Sequence, residues 1–175
     1  MKIESQDFTV SDLEAFLDQL IDRERLALAA RLEAASAHLE KVGKRVTAEA
    51  GSDGASGWTS HEVLAHIAVL SKFYGMLTYK VGSGQMSELD LLGNVHLRDV
   101  IGQEMAKTPP PELLAQAVAD QRRTAQYLRS ADAAALKREC RTTHGTVITA
   151  DHIARYPLLN HLEEHVEQLE RMLPA

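Results

Sequence analysis

His161-Leu162-Glu163-Glu164-His165 lies inside the last apolar-periodic segment of the chain, residues 149–173. At about 100° per residue, the two histidines fall roughly 40° apart on one helix face. Leu158, Leu162, Val166, Leu169, Met172 and Leu173 form one apolar arc of the same wheel. Asn160, Glu163, Glu164, Glu167, Glu170 and Arg171 fill the other side. His161 and His165 fall on the edge of the apolar arc, away from the acids, so both point toward the interior. An imidazole taken out of water needs partners for its ring nitrogens. Two of them one turn apart fit a metal ion held between them. They also fit two half-solvated boundary histidines, each bonded to a nearby carboxylate. The i, i+4 spacing permits both readings, and a third inward ligand on another helix would favour the metal.

The segment that carries the pair reads as a helix from Thr149 to Leu173, stopped by Pro174. Pro157 removes one backbone donor and is expected to bend it just before the histidines. His152 falls on the polar side of the wheel.

Upstream, three more helices are legible. Leu13, Phe16, Leu17, Leu20, Ile21, Leu28, Leu32, Ala35, Leu39, Val42 and Val46 recur at helical spacing. Residues 1–10 read as a short tail, and Ser11 with Glu14 reads as a capping box. The helix is expected to break near residues 22–24 into a lead-in and a main part. His38 lies on the edge of its arc and reads as boundary packing. Residues 47–57 are a loop by composition, short enough to set the second helix antiparallel to the first.

Trp58-Thr59-Ser60-His61-Glu62 opens helix two, with Thr59 and Glu62 as a capping box. Val63, Ile67, Leu70, Tyr74, Leu77 and Val81 form its core arc. His66 lies on the shoulder of that arc, whereas His61 points the other way and reads as solvated. Trp58 is expected to close the end of the core. Residues 82–109 form a long crossover with a short helix or two, letting helices two and three run parallel. His96 lies in this crossover. Pro111 suits the first turn of helix three, which ends near Ser130. A short helix follows at residues 131–138. Cys140 to Thr149, with His144, reads as a loop.

The chain is thus expected to be all-α, a four-helix bundle in one domain over residues 1–175. Its few aromatics and abundant Leu and Ala agree with that. The formal charge of -6, with no concentrated basic run, argues against nucleic acid as the main partner. No stretch of about 18 apolar residues points to a membrane span. The single cysteine, Cys140, allows no internal disulfide, and the protein is expected to be cytoplasmic. In an antiparallel pair, His66 on helix two comes to similar depth as His161 and His165 on helix four. Three protein nitrogens with an open position are the pattern of a catalytic metal. Imidazole donors suit zinc, nickel, copper or iron.

Trp58 to Ile67, WTSHEVLAHI, resembles the W-(S/T)-x-x-E-(V/L)-L-x-H-(L/I) start of helix two in the DinB-like (damage-inducible) family. HLEEHVEQL resembles that family's last helix, with its H-x-x-x-H or E-x-x-x-H. Order, spacing and the long central connection agree over most of residues 12–173. The resemblance implies up-down-down-up topology, with a long crossover between helices two and three. It implies a divalent metal, zinc or nickel, on His66, His161 and His165, and a homodimer. The family includes the metal-binding domain of mycothiol-dependent maleylpyruvate isomerase and S-transferases that use mycothiol or bacillithiol. With 175 residues the chain is not expected to hold the isomerase's second domain, and the three-histidine site with its open position leads to the expectation of an S-transferase. In it, a small-molecule thiol held on the metal as thiolate attacks an electrophile. A metal-binding stress-response protein without turnover and a metal-dependent hydrolase are the alternatives.

Overall fold

Thirty-eight residues, Gln6–Gly43, form one unbroken helix, α1. It belongs to a computed structural model that describes residues 6–47, 57–90, 93 and 100–174. The other long helices are α2 (Ser60–Gly82) and α3 (Pro110–Ser130). A short α4 (Ala133–Lys137) follows. The chain ends in α5 (Ala150–Ile153), a π-helical stretch (Ala154–Asn160) and α6 (His161–Met172).

Side-chain pairs fix the directions. Arg25 of α1 donates from Nη1 to the carbonyls of Leu128 and Arg129, at the far end of α3. Arg129 also pairs with Glu33, and Arg122 with Glu40, so α1 and α3 are antiparallel. In α2 and α3, Ser71 accepts from Gln121 at 2.9 Å, and Tyr79 meets the ring of Tyr127 edge-on. Those two helices are parallel. Along α1 and the last segment, Glu24 pairs with Arg155, Arg31 with Glu163 and His38 with Glu170, again parallel. The topology is therefore up-down-down-up. Helix α1 packs on α3 and α6, and α2 does the same, so α1 and α2 face each other across the bundle's diagonal. The core is aliphatic, with Leu28, Leu39, Leu64, Ile67, Leu113 and Leu169 at 2% exposure or less.

Several expectations need correction. Helix α1 starts at Gln6, so Ser11 and Glu14 lie within it instead of capping it, and no break occurs at residues 22–24. Val10, Leu13, Phe16, Leu17 and Leu20 are exposed, not buried. The reason is length. The C-terminal end of α3 lies beside Arg25, and α1 runs on past it. Asp18 reaches Lys137 there.

The expected loop after residue 138 holds a small sheet instead. Strands β2 (Glu139–Thr142) and β3 (Val147–Thr149) form an antiparallel hairpin, and β1 (Glu88–Leu89) joins β2 in parallel. Gly145 takes φ +84 in the turn, which glycine adopts without strain. Strands this short leave no readable alternation. Of the expected crossover helix, residues 100–105 are helical. His96, Leu91, Leu92, Val95 and Leu97 lie outside the described residues, as do residues 48–56 of the first loop. Among the described residues, no helix is long and apolar enough to cross a membrane.

Helices α2 and α3 come very close at Gly75. A Cβ there would collide with the hydroxyl of Thr124, itself turned back onto the carbonyl of Asp120. Glycine costs helix stability, and here it is the contact that requires it.

Candidate metal centre

Thr59 sets the start of α2, and with it the phase of His66. Its side chain accepts from the Glu62 amide, and Glu62 accepts in return from the Thr59 amide at 2.7 Å. The hydroxyl of Thr59 donates to the same carboxylate. These bonds hold the Glu62 carboxyl below the usual carboxylate range, the Thr59 backbone contributing most. One turn further, His66 faces α6.

At the other side, Thr149 caps α5, with the ring of His152 as the reciprocal partner. Pro157 cannot donate and its ring would clash with a carbonyl in a regular helix. The backbone answers with wider, π-helical turns. The His161 amide reaches back five residues, to the carbonyl of Tyr156. Arg155, bonded to Asp151 and Glu24, and Arg31, bonded to Glu163 and Asn160, anchor this segment to its surroundings.

The outcome is a convergence of three imidazoles. His161 and His165 stack with ring centroids 4.7 Å apart and planes 29° apart. His66 meets them edge-on, at 5.8 Å from His161 and 4.6 Å from His165. One ligand nitrogen from each lies within 4.8 Å of the others, and all three residues are half-buried. An ion bonded at about 2.1 Å sets its ligand atoms no more than about 4.2 Å apart, so the rings need close only slightly. The Nε2 of His165 is buried without a hydrogen-bond partner, an arrangement that burial alone disfavours. The donor set and this free nitrogen fit a divalent metal.

The remaining histidines lie elsewhere. His38 pairs with Glu170 at the α1–α6 boundary, as its wheel position indicates. His61, read as solvated, is instead half-buried and bonded to the Thr108 carbonyl at 2.8 Å. His144 is exposed on the β2–β3 turn. Cys140 is fully buried, and burial raises its thiol above the ordinary range, with the charge of Glu88 adding to it. Two neighbours of the centre were not read from the sequence. Trp58 meets His66 edge-on at 5.0 Å and lies over His165 at 6.4 Å, and it is partly open to solvent instead of closing the core. Gln168 accepts from Nδ1 of His165 at 2.8 Å. Its position three residues after His165 was the available signal.

No protein-family model matches the sequence, and no curated protein matches it. Two solved structures share the fold. The crystal structure of the mycothiol-dependent maleylpyruvate isomerase superposes with a TM-score of 0.62 at 18% identity, over 88% of this chain. A histidine-to-alanine mutant of that isomerase gives 0.64 at 20% identity, over the same share. The chain spans 61% of the isomerase's length. At this identity the likeness establishes the helical-bundle fold. It agrees with the architecture that the DinB-like motifs imply.

Proposed function

We propose that the protein is a metal-dependent S-transferase for a low-molecular-weight thiol. The observation that carries this reading is the convergence of His66, His161 and His165, with Nε2 of His165 left without a protein partner. Zinc or nickel suits three imidazole donors. Because the ligands are neutral, a divalent ion bound there keeps its charge, favours an anionic fourth ligand and lowers the pKa of a thiol. The transfer itself joins the thiol sulfur to an electrophilic carbon. The thiol proton passes to water, and the displaced group leaves with the electron pair of the bond that breaks. Trp58 offers an apolar wall against which the carbon skeleton of either reactant can lie. The shared fold with an isomerase described as mycothiol-dependent supports a small thiol as partner.

Elemental analysis of untagged protein, beside His66→Ala and His161→Ala, tests the centre. About one metal per chain is expected, lost in both variants while circular dichroism keeps its helical signal. Metal-loaded protein is then assayed with bacillithiol, mycothiol or glutathione and an electrophile. No metal-dependent rate with any thiol would reject the transferase.

A second reading, metal binding without turnover, draws on two acids near the ligands in sequence. Glu62 is held by the cap of α2 and Glu163 by Arg31, so neither is free as a general base. Full metal occupancy with no rate above solution would favour it. We also infer a homodimer, supported by the uncovered apolar residues Leu13, Phe16, Leu17 and Leu20 on α1. Light scattering is expected to show a dimer that Leu17→Asp splits. A monomeric wild type would rule it out.

A further inference from the structure

His165 is held by its own helix in a way that selects which nitrogen it offers. Its Nδ1 lies 2.8 Å from Oε1 of Gln168, three residues on. Its other nitrogen, Nε2, is buried and has no hydrogen-bond partner. An amide oxygen only accepts, so the proton of a neutral ring bonded to it sits on Nδ1. The lone pair then sits on Nε2. Were the amide turned to present its NH2 group, Nδ1 would carry the lone pair and Nε2 the proton. That arrangement would place a buried, unpaired N–H beside two imidazoles whose centroids are 4.6 and 4.7 Å from that of His165.

We propose that Gln168 is a positioning residue of the metal centre. It fixes the Nδ1–H tautomer and the ring orientation of His165, so that Nε2 is the ligand atom. This rests on the metal-binding reading above and adds to it the identity of the donor atom and of the residue behind it. Metal-ligating histidines commonly donate their other N–H to an acceptor of this kind, and loss of the acceptor typically weakens metal affinity roughly 10–100-fold. A glutamine does this without adding charge. A carboxylate in its place would make the ring a stronger donor but would also reduce the net positive charge of the centre.

The test compares zinc and cobalt affinity, by chelator competition, in wild type, Gln168→Leu and Gln168→Glu. Nitrogen-15 shifts of the histidine rings in the metal-free wild type report the tautomer directly. The expected result is an Nδ1–H tautomer for His165, a loss of roughly 10–100-fold in affinity for Gln168→Leu, and wild-type or tighter affinity for Gln168→Glu. A leucine variant that binds as tightly as wild type, or an Nε2–H tautomer in the wild type, would overturn the role of Gln168 while leaving the metal centre standing. A wild type that takes up no metal would overturn both. If Gln168→Leu fails to fold, the ring shifts and the glutamate variant still decide.

Discussion

The indole of Trp58 lies nearly parallel to the imidazole of His165, with planes 18° apart and centroids 6.4 Å apart. It also meets His66 edge-on. It is the chain's single tryptophan, so its fluorescence reports on the centre alone. Nickel or cobalt, both paramagnetic, is expected to quench the emission as it binds, saturating at one equivalent. Zinc should change intensity far less. Unchanged emission in protein shown by chelator competition to hold nickel would mean that the metal sits elsewhere.

The cap of α2 should be sensitive to acid. Thr59→Ala is expected to lower unfolding free energy by about 1 kcal/mol, the usual effect of losing such a cap. Glu62 has a lowered folded-state pKa, chiefly through the Thr59 amide. Its contribution is therefore present above the unfolded carboxylate pKa and disappears as pH falls through the lower folded value. In urea unfolding, the deficit of Glu62→Ala against wild type should be largest near neutrality and vanish in acid. A deficit that grew on acidification would contradict the bond.

Gly75→Ala should destabilise, although alanine is the better helix former. The added methyl meets Thr124 Oγ1 head-on, and such overpacking costs on the order of 1–3 kcal/mol. Thr124→Ala removes that oxygen. The double variant is expected to recover part of the loss, a coupling that a denaturant double-mutant cycle measures. Strict additivity would show that the two positions do not touch.

Cys140 is fully buried in β2, and burial raises its thiol. It should react with an aromatic disulfide reagent far more slowly than a free thiol and reach full speed once the protein is unfolded. Rapid labelling of native protein would show that the hairpin opens readily.

The helical bundle was legible because Leu and Ala recur every three to four residues, and that rhythm survives whichever partner covers it. The same rhythm placed His66, His161 and His165 on inner shoulders, and the parallel or antiparallel sense of the helices did the rest. It failed where burial depends on what stands opposite. Leu13 and Phe16 continue the arc of α1, yet α3 has ended before it reaches them. It failed also where structure is non-local. Strand β1 finds β2 some fifty residues away, and two-residue strands carry no pattern. Trp58 precedes its helix, so no wheel could aim it.

The wide turns around Pro157 also act as a phase shifter. Each carries about one residue more than an α-helical turn, and one residue is worth about 100° of rotation. The bearing of His161 and His165 on His66 is thus set by how many residues lie between the Thr149 cap and the pair. Substitution of the exposed Tyr156 should leave that bearing alone, whereas removing a single residue would swing both imidazoles away from α2. In this segment the spacing is as much a part of the site as the histidines.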